Sequence, residues 1–192
     1  MAETAEELQF LQGIDTVVYF RKLDDATTET GKLLPYQTTA KFDPSKKVDT
    51  TATKDGMVPT SASVETDFEV EFINSTSSIA DMFYDSLFDN DKLEVWLISR
   101  KRVKDDKYFA WYFRATVSED ENDNDSDDNS TRDTTFSVEG TPQRGWTTLP
   151  DDAKDQMNYI FKGIEKDDGT NNGGGVPFKD GTTPASGSGT QA

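Results

Sequence analysis

No histidine and no cysteine occurs in the 192 residues of this chain. Their absence removes Ser-His-Asp and Cys-His nucleophilic catalysis, zinc sites built from His and Cys, thiolate redox chemistry and disulfides. It does not fix a compartment, because a thiol-free chain works in either redox setting. Apolar residues are also scarce, at 33 % of the sequence, and no run approaches the ~18 consecutive apolar residues of a membrane helix. The first residues, Met1-Ala2-Glu3-Thr4, carry neither the basic nor the apolar region of a secretion signal. A soluble chain, not membrane-bound and not exported by the general secretory route, is expected. What is left to an enzyme is carboxylate, Lys or Tyr chemistry, and a metal would need oxygen ligands.

The charge is as lopsided as the residue usage. Twenty basic residues face 37 acidic ones, for a net charge of -17. Affinity for nucleic acid rests on Lys and Arg displacing counterions from phosphates, so tight binding to DNA or to anionic lipid is not expected. Aromatics compensate for the thin apolar supply. Twelve Phe, 6 Tyr and 3 Trp can each bury ~150–250 Å², enough for a small aromatic core.

β-Branched and aromatic content predicts strands at residues 16–23 and 33–42, the second with Leu34, Tyr36, Ala40 and Phe42 on one parity and ended by Asp43-Pro44. Residues 45–63 read as a long polar loop carrying Lys46, Lys47 and Lys54, either functional or flexible at that length. The clearest strand spans residues 64–72. It places Val64, Phe68, Val70 and Phe72 on one face and Glu65, Asp67, Glu69 and Glu71 on the other. A helix follows over 78–88, with Ser78 and Asp81 as a capping box and Ile79, Met82, Phe83 and Leu87 as its apolar stripe. Residues 93–98 and 108–117 read as a hairpin around a charged turn that includes Lys101, Arg102, Lys104, Asp105 and Asp106. Residues 119–129 form an acidic, low-complexity loop. A strand over 134–139 is broken by Gly140-Thr141-Pro142, a second candidate helix covers 151–162, and a Gly/Ser/Thr-rich flexible tail fills 166–192.

Chemistry-bearing patterns are few. Carboxylate pairs suit a glycoside hydrolase, yet with 37 acidic residues such pairs arise anywhere by chance. The acidic loop, aligned as an EF-hand from Asp123, offers oxygens at the first three ligand positions. It then has Asp128 where Gly is needed and Thr134 where Glu is needed, with no flanking helices. A calcium-dependent β-sandwich binding module using this loop is the alternative function. No catalytic, cofactor-binding or metal-ligating residue is assigned, and no cofactor is expected. The acidic face of the 64–72 strand is the most distinctive feature: it reads either as an ordinary solvent-facing side or, since four like charges spaced two apart cost some repulsion, as a surface kept to repel polyanions.

The order of elements resembles the major tail protein (tail tube protein) of long-tailed, non-contractile phages, especially those of Gram-positive hosts. The likeness runs from a short N-terminal arm and the Val17-Val18-Tyr19-Phe20 strand through the long polar segment, the acidic strand, the single helix and the strand hairpin to Phe136-Ser137-Val138-Glu139-Gly140. It spans residues 4–165. The resemblance implies a mainly β domain over residues 1–165, a sandwich or barrel with one flanking α-helix, followed by the 166–192 tail. It also implies a structural virion protein rather than an enzyme, assembled in the host cytoplasm. Subunits would close into six-fold rings that stack as a hollow tube around a tape-measure protein and meet tail-terminator and distal tail proteins. DNA would pass through without specific binding. Glu65, Asp67, Glu69 and Glu71 would line the channel, and the loop bearing Lys46, Lys47 and Lys54 would bridge to the neighbouring ring.

Overall fold

A computed structural model describes residues 10–150 and 164. The candidate helix 151–162, the 166–192 tail, the boundary expected near 165 and arm residues 1–9 lie outside the described residues. The chain divides into two units, Met1–Leu149 and Pro150–Ala192, and the first holds the whole sheet. That sheet has seven antiparallel strands: β1 (Thr16–Lys22), β2 (Lys32–Leu33), β3 (Gln37–Thr53), β4 (Gly56–Ile73), β5 (Leu93–Lys104), β6 (Lys107–Asp123) and β7 (Thr131–Thr147). Helix α1 (Ser78–Asp89) lies between β4 and β5 in the sequence. The strand order is β2-β1-β5-β6-β7-β4-β3. Strands from opposite ends of that order meet where Val18 N–H of β1 donates to Gln37 Oε1 at the start of β3, at 3.0 Å, while Leu34 N–H continues the β1–β2 ladder by donating to Val18 O at 3.0 Å.

Alternation decides what goes inside. Val18 and Phe20 of β1, Phe68, Val70 and Phe72 of β4, Leu93 and Val95 of β5, Phe113 and Val117 of β6, and Phe136 of β7 share one core. Rings dominate it. Phe20 meets Phe83 edge-on at 4.8 Å, and Phe136 lies 5.4 Å from Phe20 and 5.3 Å from Phe68. Such contacts contribute ~0.5–1.5 kcal/mol each beyond the buried area. This is how a chain with so few apolar residues still builds a core.

Helix α1 closes the core with Ile79, Met82 and Phe83. Its cap is Ser77, whose Oγ accepts from Ala80 N–H at 3.4 Å, not Ser78 as the capping-box pattern suggested. Asn90, in the left-handed conformation, ends it. Arg132 anchors the helix to the sheet from within. Its Nε donates to Asp120 Oδ1 at 3.0 Å, Nη2 pairs with Asp120 Oδ2, and Nη1 donates to Ala80 O at 3.0 Å. Both side chains are fully buried, and the guanidinium sits 4.1 Å from the Tyr84 ring centroid.

Four expectations about extent are corrected. Residues 45–63 are not a loop: β3 and β4 remain paired from Lys46↔Val64 out to Thr53↔Gly56. Asp43-Pro44 does not end the strand, because β3 is the terminal strand of the sheet, where a missing N–H is tolerated. Tyr36, placed on the buried parity, is instead 68 % exposed, its φ of 53° having broken the chain before β3 begins. Gly140-Thr141-Pro142 is a bulge in β7 opposite Phe113, not a break. Gly140 adopts φ 70°, a conformation that suits glycine, and the strand resumes at Gln143.

Candidate channel face and assembly hairpin

The four carboxylates singled out in β4 share one surface. Opposite the buried Phe68 and Phe72, Glu65, Asp67 and Glu71 are exposed and Glu69 is half-exposed. The register adds neighbours that the sequence reading missed. Across to β7, Glu71 faces Asp133, and across to β3, Asp67 faces Asp43. Asp133 could have been found from its own strand, where Arg132, Thr134 and Phe136 alternate inward and leave Asp133 and Thr135 outward.

This face is acidic but not free of cations. Lys41 lies directly opposite Glu69 and donates to its Oε2 at 3.3 Å, and Lys47 Nζ is 3.0 Å from Glu65 Oε2. Thr39 Oγ1 donates to Glu71 Oε2 at 2.9 Å. Six carboxylates (Asp43, Glu65, Asp67, Glu69, Glu71 and Asp133) therefore meet two lysines, and the surface stays strongly negative.

Asp133 feels that crowding. Burial raises its pKa above the ordinary carboxylate value; Glu69 raises it further by charge and by a shared hydrogen bond, and Glu71 and Glu121 add repulsion. A carboxyl with a raised folded pKa holds its proton more tightly when folded. Its cost to stability is therefore absent below the unfolded pKa and grows as pH rises through the window up to the folded value. Asp133→Asn should raise the melting temperature near pH 7 and leave it unchanged near pH 3. Thermal denaturation at the two pH values checks this. An equal gain at both would mean that the charge of Asp133 is not the cause.

The predicted bridging lysines sit on the β3–β4 hairpin. Beyond Asp67↔Ser137, β4 no longer pairs with β7, so the outer hairpin is bonded only to itself. Lys46 and Lys54 are exposed there, while Lys47 is tied to Glu65, which raises its pKa through that bond. Exposed Val48, Met57 and Val58 accompany them, an unusual cluster on so polar a surface. Lys47, held by Glu65, joins the lysine-bearing arm to the acidic face at its base.

The acidic segment 119–129 is half strand. Glu119 to Asp123 extend β6 and pair with 131–135 of β7, so the EF-hand window starting at Asp123 runs straight into β7. Among the described residues no cluster of three or more carboxylates is arranged to hold a metal ion. No described helix is long and apolar enough to cross a membrane.

Comparison with known proteins places this architecture. The fold is similar to that of the SPP1 tail tube, solved by solid-state NMR and cryo-EM, with a TM-score of 0.63 at 15% identity over 92% of this chain and 95% of that one. It is also similar to a chain from the tail of the empty gene transfer agent particle, refined with C6 symmetry, with a TM-score of 0.56 at 7% identity over 72% of this chain and 100% of that one. A chain of the native gene transfer agent virion matches with a TM-score of 0.53 at 8% identity, again over 72% and 100%. No curated protein sequence matches the chain. A family model described as phage tail tube protein matches residues 10–144, and by that match over most of its length the chain belongs to the phage tail tube protein family.

Proposed function

We propose that this tail tube subunit closes into six-fold rings that stack as the hollow tail of a long-tailed, non-contractile phage, with the acidic β3–β4–β7 face lining the bore. The observation that carries the reading is the outward row Glu65, Asp67, Glu69 and Glu71, reinforced by Asp133 and Asp43 from the neighbouring strands. A wall of this sign gives DNA little to bind, because the two lysines on it are already held by glutamates. The chain itself catalyses nothing in this role. Its partners are further copies of itself, the tape-measure protein inside the tube, and the terminator and distal tail proteins at its ends. Assembly takes place in the host cytoplasm and the product resides in the virion tail.

The β3–β4 arm with Lys46, Lys47 and Lys54 reaches the neighbouring ring. Its exposed apolar residues give it something to bury there, and the similarity to the C6-symmetric gene transfer agent tail supports ring closure by six copies. Electron microscopy of concentrated protein tests the reading: tubes or rings are expected, and a monodisperse monomer at all concentrations would overturn it.

The bore is tested separately. Glu69→Lys with Glu71→Lys should leave the subunit folded, at a cost of about 1 kcal/mol or less for placing like charges opposite Lys41. In assembled particles it should slow DNA ejection several-fold by giving phosphates a cation to bind. Ejection at the wild-type rate, or an assembled tube with these carboxylates on its outer surface, would refute the assignment.

A further inference from the structure

Helix α1 has two unlike sides. Its inner side, Ile79, Met82 and Phe83, closes the core. Its outer side carries Tyr84 and Phe88 four residues apart, a spacing that brings side chains together on one helix face. Their rings lie 6.2 Å apart and nearly parallel, at 17°. Phe88 is 73 % exposed, so this large apolar ring adds little to the core. Asp81, Asp85 and Asp89 recur at the same spacing and form an acidic row beside the rings, and the helix holds no Lys or Arg.

This outer side destabilises the isolated subunit. Asp81 with Asp85, and Asp85 with Asp89, are like charges one turn apart, and Asp89 stands in the last turn, where the helix dipole favours a cation. Lys22 offsets one of the three, its Nζ lying 2.7 Å from Asp85 Oδ2. Asp81 and Asp89 have no ion pair among the described residues. The ridge is also stiff. Phe83 packs edge-on against Phe72 and Phe136 at 5.8 and 5.3 Å, and the buried Arg132 guanidinium sits 4.1 Å from the Tyr84 ring centroid. A partner therefore meets a Tyr84 ring already held in place, with little left to order. Phe72 and Phe136 approach α1 from β4 and β7, whose other sides carry Glu71 and Asp133 of the acidic wall. Helix and wall thus lie on opposite sides of the same strands.

We infer that the outer ridge of α1 is a docking site for a basic segment of a different protein on the outside of the tail tube. Its position rests on the tube reading: with the acidic wall turned to the bore, the far side of the same strands points radially outward, where neither ring closure nor stacking places another copy. The partner's chemistry follows from the ridge itself. A lysine or arginine can lie over the Phe88 ring and pair with Asp81 or Asp89 at once, because a cation is drawn to the face of an aromatic ring and to a carboxylate. An apolar side chain next to that cation buries the rest of the ring. A purely basic polymer leaves Phe88 wet, and an acidic partner is repelled by all three aspartates.

The test uses the full chain and a short peptide of alternating arginine and leucine, followed by amide NMR, with an arginine-only peptide of equal length as the control for bulk charge. Saturable shifts are expected to centre on residues 78–91. Phe88→Ser, or Asp81→Asn with Asp89→Asn, should weaken binding about tenfold or more, and the arginine-only peptide should bind the wild type about tenfold more weakly. Both variants should melt with the wild type, because the changed side chains are exposed. Unchanged affinity in Phe88→Ser, or shifts spread over the acidic wall and residues 119–128 instead, would overturn the site. Assembly supplies a second arm. Phe88→Ser should form tubes at the wild-type rate, and assembled tubes should bind the peptide as the free subunit does. Loss of assembly, or of the peptide site in tubes, would mean that another copy covers the ridge; that overturns the docking site and leaves the tube reading intact. A wild-type chain that never forms tubes would sink the tube reading instead, and the titration of the subunit would then decide the ridge alone.

Discussion

Asp120→Ala should destabilise the subunit by about 3–5 kcal/mol, the cost of leaving a buried charge without its partner. For a domain of this size that lowers the melting temperature by roughly 6–20 °C, at about 2–4 °C per kcal/mol. Arg132 is the reason. It is the largest fully buried side chain, two of its nitrogens bond the Asp120 carboxylate, and only the Ala80 carbonyl would remain. Because the same guanidinium ties α1 to β6 and β7, the helix should loosen first, and amide exchange in residues 78–89 should accelerate before that of the sheet. The paired change Asp120→Leu with Arg132→Met should recover most of the loss, since replacing a whole buried pair by apolar residues is often neutral. If Asp120→Ala melts within about 2 °C of the wild type, the pair is not what holds the helix.

Deleting residues 48–57 should abolish tube growth while leaving the monomer's core folded, its strand signal in circular dichroism falling only by the share of the removed hairpin. The deleted residues pair only with one another and with 58–61 of the same hairpin, and none belongs to the core. The rejoined chain still has the Lys46↔Val64 pair and the ladder from Ser45↔Glu65 inward, so the sheet keeps its register. What is lost is Lys54 and the exposed Val48 and Met57, the reach and the apolar surface of the arm. Size-exclusion chromatography and negative-stain microscopy read the result. Tubes of normal length from the deletion variant would show that ring contacts lie elsewhere. A collapse of the monomer's strand signal would show that the arm is part of the fold after all.

Much of this molecule was written in local pattern. The period-two alternation of Val64 to Phe72 specified which face of β4 is buried, and the structure places Phe68, Val70 and Phe72 in the core with their acidic neighbours outside. The stripe of Ile79, Met82 and Phe83 specified the inward side of α1 in the same way. Burial sorts residues by polarity at the period of the backbone, so a one-dimensional pattern carries the information. The absence of His and Cys likewise narrowed the available chemistry without any coordinates.

Strand ends were not legible, because the residues that mark them locally have tertiary licence. Pro44 continues a strand since it lies on the sheet's outer edge, and Gly140-Thr141-Pro142 becomes a bulge since Arg114↔Glu139 and Tyr112↔Gln143 keep the two strands paired on either side of it. Residues 45–63 read as a loop because they are polar and low in apolar content, yet hydrogen bonding to a partner strand, which leaves no trace in hydrophobicity, makes them β. Arg132 with Asp120 was equally invisible: two ordinary surface residue types, buried together only because α1 crosses over them. The sequence by itself determined the polarity of each face and the sign of the whole surface. Only the tertiary structure decided which carboxylates share a wall and which ion pair lies in the core, because these depend on register between segments distant along the chain.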